Sequence, residues 1–71
     1  MQEYIGKKLF DDTGRNPDYT INNVLFEGPI VIFGQAHSEE NGHNENIYFM
    51  VYKESREVVS KDLMFYYMET Q

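Results

Sequence analysis

The chain has no cysteine and no tryptophan, only two prolines, and six basic residues against twelve acidic ones. Without cysteine there can be neither a disulfide framework nor a thiolate zinc site, so stability must come from apolar packing, aided by oligomerisation. The formal net charge of −6 works against nucleic-acid binding, which draws on Lys and Arg to displace counterions from phosphates. It equally works against binding to anionic membranes. A basic partner, or mimicry of nucleic acid by carboxylates, is compatible with this charge. No segment approaches the roughly 18 consecutive apolar residues of a membrane span. The stretch Met1-Gln2-Glu3-Tyr4-Ile5-Gly6-Lys7-Lys8 has no basic leader followed by an apolar core, so a cytoplasmic protein is expected.

What the chain does have is large apolar side chains: six tyrosines, five phenylalanines and four methionines in 71 residues. That length makes one small domain, residues 1–71. Two stretches, Ile47-Tyr48-Phe49-Met50-Val51-Tyr52 and Leu63-Met64-Phe65-Tyr66-Tyr67-Met68, are apolar at every position. A strand turns alternate side chains to opposite faces, so a half-buried strand should alternate apolar with polar. These do not, and the surplus must be covered either within the domain or by a partner.

Along the chain, short β segments alternate with polar turns. The first runs from Glu3 to Phe10, with a bend or bulge at Gly6. Asp11-Asp12-Thr13-Gly14-Arg15-Asn16-Pro17-Asp18 is a loop, and Tyr19 to Phe26 is the second segment. A bulge at Asn22-Asn23 would bring Tyr19, Ile21, Val24 and Phe26 onto one face. Glu27-Gly28-Pro29 forms a corner, because Pro29 cannot donate to a ladder. Ile30-Val31-Ile32-Phe33 reads as a central strand covered on both sides. His37 to Asn46 is a polar loop, Ile47 to Lys53 the fourth strand, and Glu54-Ser55-Arg56-Glu57 a tight turn into Val58-Val59. Ser60-Lys61-Asp62 suits a single helical turn capped by Ser60, before a last strand over Leu63 to Met68. The alternative is α+β: Val59, Leu63, Tyr66 and Tyr67 fall at helical spacing, which would place a C-terminal helix from about residue 60.

Mainly β architecture follows, as a small barrel of five to six strands. A helical turn before a last short strand is similar in pattern to SH3-like barrels. That resemblance implies a fold and no particular function. Lys8-Leu9-Phe10-Asp11-Asp12 echoes the first aromatic motif of the peptide-binding SH3 domains, yet no tryptophan is present to complete a polyproline groove.

Catalytic constellations are missing. Only Ser38, Ser55 and Ser60 could pair with His37 and His43, and no glycine-rich phosphate loop occurs. The loop His37-Ser38-Glu39-Glu40-Asn41-Gly42-His43-Asn44-Glu45 holds ligand types for a metal but lacks support from other segments, so it reads as a solvated hairpin loop. The Asp11–Asp18 loop fails the ligand spacing of an EF-hand. Asn46 to Tyr52 lacks the glycine and basic lead of a single-strand-binding sheet. No enzyme, metal or cofactor is expected.

There remains an aromatic and methionine face. With Phe49, Val51, Leu63, Phe65 and Tyr67 inward, the outward set is Tyr48, Met50, Tyr52, Met64, Tyr66 and Met68. Tyr and Met suit interface cores, burying large area while tyrosine keeps a polar tip. The sequence therefore points to a non-enzymatic protein-interaction module, an accessory or regulatory factor of the kind bacteriophages also encode. Its partner would be another protein, and a homodimer is expected. The other reading is an acidic inhibitor that presents Asp11, Asp12, Asp18, Glu39, Glu40 and Glu45 to a basic groove in place of nucleic acid.

Overall fold

The structure, a computed structural model, describes residues 2–38 and 46–70. It is mainly β: a single 3-10 turn, Gln2–Tyr4, precedes strands β1 (Lys8–Asp11), β2 (Tyr19–Glu27), β3 (Val31–His37), β4 (Asn46–Tyr52), β5 (Val58–Val59) and β6 (Tyr66–Met68). All pairings are antiparallel in the order β5-β4-β3-β2-β1-β6. The two ends of this sheet meet, because Glu57 bridges to Tyr67 and the Met68 N–H donates to the Arg56 carbonyl at 2.8 Å. The result is a nearly closed six-stranded barrel, as the turn-separated segments foretold. A closed sheet leaves little open edge for other chains to pair with.

Inward residues form the core. Ile32 and Val51 lie opposite each other, with Val58 beyond; Ile21, Ala36 and Ile47 make a second row, and Leu9 and Met68 a third. Phe49 packs opposite Gly34. Gly34 is needed there: a Cβ at that position would collide with the Asn23 carbonyl oxygen and lie 3.2 Å from the Val24 Cα. The cause is a bulge between Ile21 and Asn23, which folds β2 down onto β3.

Several sequence-derived boundaries move. Residues 2–4 form a turn rather than the start of a strand, and the bend falls at Gly6, whose φ is 95°. In β2 the bulge at Asn22-Asn23 occurs as expected, but a second shift between Val24 and Phe26 puts Leu25 out of register. Phe26 is thereby turned outward, opposite Phe33, instead of joining Ile21 and Val24 inside. Strand β3 is central yet covered on one side only. Ile32, Gly34 and Ala36 face in, and Phe33 and Gln35 face out.

The C-terminal helix does not form. Ser60 does head a turn, its Oγ accepting from the Asp62 N–H at 3.2 Å and its carbonyl from the Leu63 N–H at 3.3 Å. Phe65 then adopts a left-handed φ of 66°. This reverses the alternation expected for Leu63–Met68: Leu63, Tyr66 and Met68 are buried, while Met64 and Phe65 are exposed.

The Asp11–Asp18 loop is organised by one carboxylate. Asp11 Oδ1 accepts from the N–H and Oγ1 of Thr13, both at 2.8 Å, and Oδ2 accepts from the N–H and Nδ2 of Asn16 at 3.0 and 2.8 Å. The Thr13 backbone N–H, ahead of burial, which acts in the opposite direction, holds the Asp11 pKa below its ordinary 3.8. A carboxyl that titrates lower when folded contributes stability in full above the unfolded value, and loses it as pH falls towards the folded one. Denaturation by urea at stepwise lower pH should therefore show a steeper loss of stability below about pH 4 in the wild type than in Asp11→Asn. Equal slopes would assign the acid sensitivity to other carboxylates.

Candidate functional site

The outward faces of β2 to β5 build one continuous surface, in rows fixed by strand register. Phe26, Phe33, Met50 and Val59 stand in line across four strands. On one side of that row lie Val31 and Tyr52, and on the other Asn23, Gln35 and Tyr48. A last row holds Thr20, His37 and Asn46. Phe26 and Tyr48 are 57% and 61% exposed, and Phe33 is 37% exposed. The Phe33 and Tyr48 rings stack, with centroids 5.8 Å apart and planes 3° from parallel, so their faces are pre-arranged. Asn23 Nδ2 donates to Gln35 Oε1 at 3.2 Å, and Asn22 Nδ2 to Asn46 Oδ1 at 2.9 Å, which fixes the polar end.

None of these rows contains a carboxylate, a lysine or an arginine, although 18 of the 71 side chains in the sequence are charged (6 + 12). Depletion of charge with enrichment of aromatics and methionine marks the centre of protein interfaces, because desolvating a charge there costs more than its contacts return. Charged side chains border these rows: Lys61 and Asp62 line a pocket with Phe33, Tyr48, Met50 and Val59, and Lys53 and Glu27 lie at the other end. Lys53 donates to Glu27 Oε2 at 3.0 Å and to the Gly28 carbonyl at 3.1 Å, and the Tyr4 hydroxyl donates to the same Glu27 oxygen at 3.3 Å. The hydrogen bond from Lys53 lowers the Glu27 pKa, and the bond to Glu27 raises that of Lys53. Burial raises that of Tyr4. These three groups clamp the 3-10 turn to the end of β2.

The sequence-derived interface set is split by the fold. Tyr48, Met50 and Tyr52 lie on this face. Tyr66 and Met68 do not: they are 3% and 6% exposed and belong to the core, because Phe65 shifts the phase of β6. Met64 is exposed, but it sits with Phe65 beside Pro17 and Tyr19, next to the Asp11–Asp18 loop. Phe65 and Tyr67, expected inside, are exposed and half-buried respectively. Phe26, Phe33 and Val59 were missed. Phe33 was legible, since Gln35 and His37 share its parity and mark that side of β3 as outward. Phe26 was not, since nothing local announces the second bulge.

Of the alternative acidic surface, Asp11 is buried and saturated by Thr13 and Asn16, so its carboxylate cannot meet a partner. Asp12 and Asp18 are exposed on the loop, while Glu39, Glu40 and Glu45 lie outside the described residues, as does His43 of the loop weighed for metal binding. Among the described residues no three His, Asp or Glu side chains converge on a metal-sized space, and no helix is long and apolar enough to cross a membrane. Comparison with protein-family models, curated proteins and solved structures finds no match, so the likeness to SH3-like barrels rests on the pattern of elements alone.

Proposed function

We propose that this protein is a non-enzymatic interaction module of the cytoplasm, an accessory or regulatory factor that binds protein through the outer face of β2–β5. The observation carrying this reading is the charge-free aromatic and methionine grid on a chain of net charge −6. Large side chains held at 37–61% exposure in a small domain withhold burial that folding could use, at about 25 cal/mol per Å². A partner recovers it. Exposed tyrosine and phenylalanine on a rigid sheet also lose little side-chain entropy on binding, which favours them as anchors.

The test is photo-cross-linking in the producing cell, with benzoyl-phenylalanine introduced at position 48, at position 33, or at position 18 in the loop. Adducts from 48 and 33 that are absent from 18 are expected. No adduct at the two sheet positions, or the same adduct from all three, overturns the assignment of this face.

A further inference from the structure

Resting on that reading of the face, we infer that the partner engages it as an added strand. An extended segment of another protein, apolar at its centre and basic at its ends, pairs with the edge of β4 at Asn46 and Tyr48. It lies antiparallel to β4, in line with β5. Three observations carry this.

The first is the direction of the backbone groups. Successive residues of a strand turn their N–H and C=O to opposite sides. The Lys53 N–H donates to the Ile30 carbonyl at 2.9 Å, on the β3 side, and the Tyr52 N–H to the Glu57 carbonyl at 3.1 Å, on the β5 side. Along β4, therefore, Ile47, Phe49 and Val51 present these groups to β3, and Asn46, Tyr48 and Met50 present theirs away from it. Met50 meets Val59, where β5 ends. Past that point, among the described residues, no strand pairs with β4 on this side and no backbone group bonds to Asn46 or Tyr48 there. Two N–H groups and two carbonyls thus stand in a row at strand spacing, and one antiparallel segment satisfies all four. In such strand addition the main-chain bonds supply affinity and alternate side chains supply specificity.

The second is that nothing blunts this edge. Folded proteins protect sheet edges with bulges, proline, charged side chains or a covering segment. The other stretch left open, on β2 beyond its pairing with β1, has such protection: two register shifts interrupt it, and the Tyr4 hydroxyl ties the 3-10 turn to Glu27 at its end. Residues 46–49 have no bulge, no proline and no charge. The Tyr48 ring, stacked on Phe33, stands on the outer face beside this edge. A residue paired with Tyr48 would lie on the same face, where an aromatic or β-branched side chain gains most from the cross-strand contact.

The third is charge. Residues 46–49 carry none, and Lys61 and Asp62, of opposite sign, line the groove at the β5 end of the edge. The centre of the segment is therefore uncharged. The body as a whole carries −6, so Lys or Arg beyond the paired residues is attracted to it, and a second copy of the chain is repelled. Binding should accordingly weaken as salt rises.

The experiment combines amide hydrogen exchange, read by NMR, with short peptides selected on the wild type from a random display library. In the free protein the Asn46 and Tyr48 amides should exchange at least about tenfold faster than those of Ile47 and Phe49, which face β3. Selected peptides should carry an apolar centre between Lys or Arg residues, and should slow the two edge amides when bound. N-methylation along the peptide should weaken binding about tenfold or more at alternate residues, those whose N–H faces β4, and little at the residues between. Tyr48→Pro removes the outward N–H and spares the ladder to β3, so it should lose the peptide and keep the circular dichroism of the wild type. If that variant does not fold, the N-methyl series decides alone. Edge amides already protected in the dilute free protein, no selected peptide, or peptides that bind without slowing these amides overturn the added strand. Protection that appears without peptide as concentration rises overturns it as well, by making the occupant a second copy. The face is judged separately: if the edge amides stay unprotected but positions 33 and 48 still cross-link to another protein, this inference falls and the interaction reading stands. With neither protection nor adduct, both fall.

Discussion

Replacing Gly34 with valine is expected to destabilise the protein strongly, while Gly28→Ala is expected to cost little. Both glycines are buried. At Gly34 the atoms in the way of any side chain are backbone, the Asn23 carbonyl and the Val24 Cα, held there by the β2 bulge and by pairing with β3 on both sides of it. Neither can retreat without breaking the ladder, so overpacking should cost at least the ~1–3 kcal/mol usual for a crowded core. A domain of this length holds only roughly 3–11 kcal/mol in total. At Gly28 the nearest atoms are the Cε2 and Cζ of the exposed Phe26 ring, 2.9 and 3.2 Å away, and that ring can swing outward. Urea denaturation followed by circular dichroism separates the two. A folded Gly34→Val with an unchanged midpoint would mean that β2 does not approach β3 this closely in solution.

Tyr66→Asp is expected to abolish folding, in contrast to Tyr48→Asp. Tyr66 is 3% exposed, stands edge-on to Tyr19 at 6.0 Å and 73°, and donates its hydroxyl to the Pro17 carbonyl at 2.7 Å. Truncating a buried aromatic costs about 3–5 kcal/mol, and the new carboxylate would have to be buried as well. Tyr66→Phe removes only the hydroxyl, leaving Pro17 without that donor, for a loss of about 1–3 kcal/mol. Tyr48 is 61% exposed, so an aspartate there remains in water and loses little more than a cross-strand contact of ~0.2–1 kcal/mol. Thermal melts of the three variants suffice. A cooperative transition in Tyr66→Asp near that of the wild type would remove Tyr66 from the core.

These two residues also show how far the sequence could be read. Strand identity, order of elements and the β2 bulge were legible, because turn residues, β-branched runs and the Asn22-Asn23 pair are local signals. Tyr48, Met50 and Tyr52 could be assigned outward because β4 runs without a bulge, so every second residue stays on one face. Tyr66 and Met68 could not, because the phase of β6 depends on one left-handed residue, and phenylalanine at φ 66° is a conformation its side chain disfavours. That conformation is imposed from outside the segment: the Asp12 N–H binds the Phe65 carbonyl at 2.9 Å, and Leu63 and Tyr66 both gain burial. Phe26 was lost in the same way, to a bulge that tertiary pairing creates. The surface emerges as a grid only when register places Phe26, Phe33, Met50 and Val59 in one line, and register is a long-range property that no single segment encodes.

Closure of the barrel sets the tempo of folding. The Glu69 N–H binds the Lys8 carbonyl at 2.9 Å, and the Lys8 N–H binds the Glu69 carboxylate across 61 positions of sequence. Such distant contacts must pay their loop entropy before they return any stability, which places small all-β domains among the slow folders, at milliseconds to seconds. Three residues, Tyr66–Met68, work as the latch. While it is open, β1 and β5 are bare edges, and other chains can pair with them. Folding yield should therefore fall as chain concentration rises.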